Sequence, residues 1–462
     1  MKLPAKTKIF SWGYGYSADV FLLKPNSIDE IVEILHFAHQ TQTQVICKGG
    51  ANSFGNVFLL QNQIVLDLTA FSAIKKFDAT RGVVVVEGNA LIREILTLIM
   101  PSGWFLHGVS GSIDNTVGGA IAANVHGKDS WAKGNFGSTI VAMKLLTPKG
   151  EIIDLSESQN SPIFYAVIGG LGLLGIILEV TFRLHPIQSL TVEQIQYKAS
   201  NVNEIEHLLY PDADEEPEFM FSWIDGFASK KYCGRGIVER ARFTKYENHH
   251  MREAFRESMR PKDKVGLLPP QMFWSIFKPI WRRPLLYVFN ECKYNFTQDR
   301  VQQMVPYPIF NFPWAKMPGA NYSFYPHGFR EIQALFCRAD ANKAFTAILA
   351  LCKREQHVPI LCSIKRHKSD VGYLTFAGEG MSISINLLCN QFKGKELNDF
   401  IALLLDVIMK YSGRIYLSKF SELAPDMFHA MYPEAGQYSK IKKSLDPNAI
   451  FWSDTAENLF RK

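Results

Sequence analysis

A chain of 462 residues, 47% hydrophobic and 20% charged, can bury a large core and form two or three domains, and it carries no repeat or low-complexity tract. The net charge of +6 is concentrated: residues 221–300 hold 16 Lys/Arg against 8 Asp/Glu and the rest is slightly acidic, a distribution that argues against a nucleic-acid binder. Seven scattered cysteines never spaced C-x-x-C, no apolar start of secretory length, and no apolar run near the ~18 residues of a membrane span lead to the expectation of a soluble cytoplasmic protein with neither a disulfide framework nor a metal site.

Strand and helix signals alternate over the first 185 residues. DVFLLKP (19–25) reads as a strand. Ser27 and Glu30 then form a capping-box pattern ahead of a helix with Ile28, Ile31, Val32 and Leu35 on one face. QVIC (44–47), QIVLDL (63–68) and GVVVVEG (82–88) are strands, and NALIREILTLIMPSG (89–103) is a helix stopped by Pro101 and Gly103. VAMKLLTPKGEIIDL (141–155) is a hairpin, and GIILEVTFRLHP (175–186) is a strand closed by Pro186. Between residues 190 and 410 strands alternate with helices at VNEIEHLLY (202–210), ANKAFTAILALCKREQ (341–356) and ELNDFIALLLDVIMKY (396–411), around a long irregular region rich in Pro and aromatics.

Three glycine loops stand out. KGGANSFGN (48–56) follows a strand and can converge its amides on an anion. SGSIDNTVGGAIAANVHG (110–127) offers bare backbone, and GGLGLLGI (169–176) leads into a strand. GLGLLG matches G-x-G-x-x-G, but a dinucleotide fingerprint must open a helix, and IILEVTF follows here. Any one loop alone is an ordinary tight turn. Together they suit a long, flat, doubly phosphorylated ligand.

The order of these loops resembles the FAD-binding domain of the vanillyl-alcohol-oxidase superfamily. Within it the chain is similar to the decaprenylphosphoryl-ribose 2'-oxidase family, through Ser222-Trp223 with Asp225, GRGIVERARF (234–243), GRIYLSKF (413–420), FHAMYP (428–433) and DPNAIFWSD (446–454). The resemblance implies an α+β fold: a PCMH-type FAD-binding domain of two α+β subdomains over 1–187, a substrate domain with antiparallel sheet and helices over 188–410, and a segment over 411–462 returning to the first domain. It implies FAD with its pyrophosphate over Lys48, Gly49, Gly50, Ala51, Asn52, Ser53, Phe54, Gly55 and Asn56. The flavin would lie along Gly111, Ser112, Thr116, Val117, Gly118, Gly119, Ala123, Asn124, His126 and Gly127, with Ile177 and Tyr416 in contact. Asn52 stands where covalently flavinylated members often carry a His, so noncovalent FAD is implied.

A lone His126 is ordinarily structural, Lys365 and Lys419 ordinarily surface cations, and Trp223 an ordinary core aromatic. The resemblance instead implies catalytic roles for Lys419 and His126, and substrate contacts for Trp223, Gln333, Lys365 and Tyr432. The implied reaction is oxidation of the 2'-hydroxyl of a lipid-linked sugar phosphate, with an NAD(P)H-dependent short-chain reductase as partner. The chain departs from the family at Glu331, Ser382, Ser384, Asn52 and Phe54, which leaves the sugar and lipid open. Residues 264–289 mix aromatics and Pro with Lys278, Arg282 and Arg283 and carry no acid, a composition suited either to a buried loop or to peripheral contact with the inner face of a membrane. Oxidation of a soluble alditol or aldonolactone, nicotinamide chemistry at GLGLLG, and a non-enzymatic membrane-binding role remain open beside this reading.

Overall fold

A computed structural model describes residues 1–212, 216–246, 249–392 and 396–460. The helix after Ser27 runs Ile28–Thr41, and the Ser27 hydroxyl accepts from the Glu30 amide at 3.1 Å. Glu30 reaches back one residue further than the usual box, to the Asn26 amide at 2.8 Å. This helix covers a four-stranded sheet ordered Thr7–Phe10, Ser17–Leu23, Ile64–Asp67, Val45–Lys48, antiparallel in the first pair and parallel in the rest. An antiparallel five-stranded sheet follows, ordered Ile74–Asp78, Val83–Glu87, Ile176–Arg183, Ile140–Leu146, Ile152–Ser156. The fold is α+β, with two smaller sheet-and-helix units and a larger antiparallel sheet.

That larger sheet has eight strands, ordered Val301–Pro306, Thr191–Ala199, Gly236–Phe243, Phe219–Ile224, Cys362–His367, Gly380–Leu388, Phe329–Phe336, Arg414–Ile415. The chain then returns to the first sheet, where Phe451 bridges Val45 in parallel. Asp446 fixes this return by accepting from the Ile450 and Phe451 amides, each at 2.9 Å, and from Lys442.

Two segments differ from their sequence reading. Residues 115–124 are not bare loop but contain a helix, Val117–Ala123, whose Thr116 cap accepts from the Gly119 amide and whose Asn124 end adopts a left-handed φ of 42°. Gly118 is required by protein rather than by a ligand alone. Its amide lies 2.6 Å from the Gly88 carbonyl oxygen, and a Cβ there would come within 3.0 Å of that oxygen. The proline-rich region is not irregular either. It forms helices His249–Met259, Pro270–Phe277 and Arg283–Phe296, because Pro270 and Pro284 stand in the first turn, where a missing N–H costs nothing. The G-x-G-x-x-G stretch turns through Gly172 and Gly175 directly into the strand Ile176–Arg183, so no helix opens there.

Gly118→Val should lower unfolding free energy by about 1–3 kcal/mol through overpacking against Gly88. Gly111→Ala, whose Cβ would meet nothing nearer than 3.7 Å, should stay near wild-type stability in the same denaturant titration.

Candidate active site

One cavity of about 820 Å³ touches all three glycine loops and one face of the eight-stranded sheet. Strand register builds its sheet wall. Trp223 pairs with Ser363, Ser363 with Ser384, and Ser384 with Gln333, so the four form one row across four strands. The two-residue period of each strand adds Lys365, Glu331 and Asn386 to the same face.

The loop wall differs in chemistry. Gly49, Gly50, Ala51, Asn52, Ser53 and Phe54 line the cavity, and among the described residues none of the amides from Gly50 to Gly55 donates to a protein acceptor. A row of unpartnered N–H groups beside a cavity is an anion cradle. Gly111, Ser112, Thr116, Gly118, Gly119 and Ala123 continue this wall, and Gly172, Gly175 and Ile177 close it. Small side chains leave room for flat rings, so the residues present fit a dinucleotide with its phosphates on Gly50–Gly55. Loop rigidity comes from side chains, with Asn52 donating to the Asp114 carbonyl at 2.8 Å and Arg93 holding the Asp114 carboxylate through two nitrogens.

Six residues expected at the cofactor do not line the cavity. Lys48 is drawn off to Asp67 at 3.0 Å, so backbone rather than a lysine makes the cradle. Gly55 packs on the Ser418 and Lys419 carbonyls, and Asn56 accepts from Ser421 and Thr455. Val117 is core. Asn124 binds Asp370 and the Gly137 amide, and Gly127 packs on Asp129 and Val109. Tyr432, expected at the substrate, is also buried away from the cavity, and its hydroxyl donates to the Ile415 carbonyl. It braces the strand end that delivers Tyr416, and a sequence motif cannot separate such a brace from a contact.

Where loops and sheet meet, titratable groups crowd together. Glu331, 3% exposed, accepts from Lys419, from Ser384 and from Asn386. Three donors make this buried carboxylate a well-compensated partner for the Lys419 ammonium. His126 Nε2 lies 3.2 Å from Gln333 Oε1, and the Gln333 amide nitrogen donates to Ser382 at 3.0 Å. That orientation assigns the imidazole proton to Nε2 and leaves a lone pair on Nδ1, which faces Lys365 Nζ at 3.5 Å. Burial, then the Lys365 charge, His367 and Lys419, hold His126 well below the ordinary imidazole range. Burial, then Lys419 and Lys128, push Lys365 down to about 7. The Tyr416 hydroxyl donates to the Ala123 carbonyl at 2.7 Å, closing the end of the Val117–Ala123 helix.

Sequence reasoning missed Lys128 and Lys293. Lys128 bonds the Phe310 carbonyl at 2.7 Å and Glu239 at 3.3 Å, while Lys293 stands 4.3 Å over the Trp223 ring. It named Glu331 and Ser384 only as pocket positions that depart from the family, without a role, and did not name Asn386. Their signal was present: E-I-Q and S-I-S-I-N alternate polar with apolar residues inside strands buried on both faces. The cavity lining also includes the apolar side chains of Trp274, Ile280, Leu286, Ile309, Met317 and Phe324, of which Leu286 and Phe324 belong to one hydrophobic cluster with Phe54.

An anion cradle joined to a buried cluster of Lys, His and carboxylate is a site for a phosphate-bearing cofactor beside proton-transferring groups. Residues 20–156 match the family described as FAD binding domain, and residues 329–459 match D-arabinono-1,4-lactone oxidase. The chain is 25% identical to decaprenylphosphoryl-beta-D-ribose oxidase of Mycolicibacterium smegmatis, over 99% of this chain and 98% of that one. It is 22% identical to mouse L-gulonolactone oxidase, over 97% of this chain and 96% of that one. It is likewise 22% identical to L-gulono-1,4-lactone dehydrogenase of Mycobacterium tuberculosis, over 94% of each. The chain therefore resembles an FAD-binding domain over residues 20–156 and a D-arabinono-1,4-lactone oxidase over residues 329–459. It is an FAD-dependent oxidoreductase that holds FAD noncovalently and oxidises a CH–OH group of a sugar or lactone.

Lys419→Ala should keep the yellow colour and lose turnover, since the Gly50–Gly55 cradle does not depend on that ammonium; absorbance and steady-state rates read the two separately. Tyr432→Phe should leave KM unchanged but cost about 1–3 kcal/mol of stability in denaturant unfolding, because it orphans a buried carbonyl.

Proposed function

We propose that the substrate is a polyprenyl-phosphate pentose, similar to the decaprenylphosphoryl-ribose in the name of the Mycolicibacterium relative, and that its 2'-hydroxyl is oxidised to a ketone. The observation that carries this reading is the make-up of the cavity. The one cavity is lined both by Lys128, Lys293 and Lys365 and by the apolar side chains of Trp274, Ile280, Leu286 and Met317. A free sugar lactone has no use for those apolar side chains, whereas a phosphodiester with an isoprenoid tail fits charge to charge and hydrocarbon to hydrocarbon.

FAD, when bound, would accept the hydride that leaves the carbon, and with it both electrons of the oxidation. The chain's own residues manage the proton and the charge. A substrate phosphate that draws the Lys365 ammonium toward itself frees the Nδ1 lone pair of His126, which is kept neutral by its surroundings, to accept the hydroxyl proton. Lys419, fixed by Glu331, sets a positive charge beside the reacting centre. The ketone is the substrate for a second enzyme, a reductase of the NAD(P)H-dependent short-chain type, that delivers hydride to the opposite face and completes a 2'-epimerisation.

A second reading, oxidation of a soluble aldonolactone or alditol, is favoured by the match of residues 329–459 to D-arabinono-1,4-lactone oxidase. Anaerobic titration separates the two: the polyprenyl-phosphate sugar should bleach the flavin absorbance at lower concentration than any free lactone or alditol. Bleaching by the lactone alone would transfer the assignment to the second reading. Lys365 carries its charge below about 7 and loses it above. For phosphate-bearing substrates kcat/KM should therefore fall as pH rises through that value, and Lys365→Met should remove the dependence.

A further inference from the structure

The helix Arg283–Phe296 has two working faces. Inward, Leu286 and Asn290 are buried, and Asn290 donates to the Asp225 carboxylate at 2.8 Å, which ties the helix to the sheet. Outward, Leu285, Val288, Phe289, Cys292 and Phe296 fall at helical spacing and are all exposed, Val288 at 54% and Phe296 at 83%. The preceding helix, Pro270–Phe277, adds Met272, Ile276 and Phe277 to the exposed apolar surface. An amphipathic helix that turns a full apolar stripe to solvent is built for a surface this chain does not itself supply.

Charge points to the occupant. Lys278, Arg282 and Arg283 lie in the turn between the two helices and at the start of the second, in a stretch, 264–289, that contains no acid. The groove they line also holds Glu355, Glu396 and Asp399 from other elements. Position adds a second argument, because Phe289 and Met317 are exposed and also line the substrate cavity, which thus opens among these residues. We propose that the Leu267–Phe296 segment docks on a bilayer bearing anionic headgroups, with the apolar stripe in the interface and the cavity mouth facing the lipid. A second copy of the chain is a poorer occupant, since a two-fold contact would set the same cations against each other. Among the described residues no helix is long and apolar enough to cross a membrane, so the contact is peripheral.

The test uses the FAD-loaded enzyme without substrate, so its outcome is independent of the reading of the substrate. Co-sedimentation with phosphatidylcholine vesicles containing phosphatidylglycerol should retain the protein, and pure phosphatidylcholine vesicles should retain much less. Ile276→Asp with Val288→Asp should abolish retention while flavin absorbance stays unchanged, because neither residue lines the cavity. Arg282→Gln with Arg283→Gln should weaken binding about thirtyfold and leave the apolar stripe intact. Wild-type protein that ignores anionic vesicles would overturn the proposal. So would a dimer in sedimentation velocity that the aspartate pair dissociates.

Discussion

The register that sets Gln333 opposite Ser384 and Glu331 opposite Asn386 is the constraint on which the site rests. Both strands are buried on both faces, so one face must carry the polar row and the other the apolar one. A slip of a single residue would exchange them, sending Ile332, Ile383 and Ile385 into the cavity and Glu331 into the hydrophobic core. The cost of an unpaired carboxylate in the core makes that slip prohibitive. Fold stability and site geometry are therefore enforced by the same alternation.

Within that frame the electrostatics are deliberately unbalanced. Lys128, Lys293, Lys365 and Lys419 all line one cavity, against Glu331 and Glu239. Glu331 is committed to Lys419 and Glu239 to Lys128, which leaves Lys365 facing a neutral imidazole. Burial and like charges pull its amine toward neutrality, and an incoming anion would reverse that shift. The site thus carries a deficit of negative charge that a phosphate-bearing ligand removes. Backbone amides do the equivalent work at the cofactor loop, where no lysine is spare because Lys48 belongs to Asp67.

Local signals were legible wherever a rule acts over a few residues. Ser27 capped its helix, the 141–155 hairpin turned at its Pro-Lys-Gly, and GLGLLG was rejected as a nucleotide fingerprint because a strand follows it. The glycine loops were found for the right ligand and partly for the wrong reason, since Gly118 answers to the Gly88 carbonyl as well as to open cavity. The Pro- and aromatic-rich stretch misled in the other direction, reading as irregular where Pro270 and Pro284 start helices. Tyr432 and Asn124 sit in the right motifs yet face protein, a distinction that depends on partners outside those motifs, Ile415 for the first and Asp370 for the second.

By itself the sequence determined the local elements and the three side-chain-poor stretches, because backbone freedom, capping and two-residue alternation are short-range properties; FAD was implied only by the family resemblance that those stretches carry. Only the tertiary structure decided that Glu331 holds Lys419, that Gln333 orients His126, and that Lys128 and Lys293 join the same cavity. Those assignments require strands far apart in the chain to be set side by side in one register. Loop closure over such distances is governed by the packing of the whole core rather than by any local pattern.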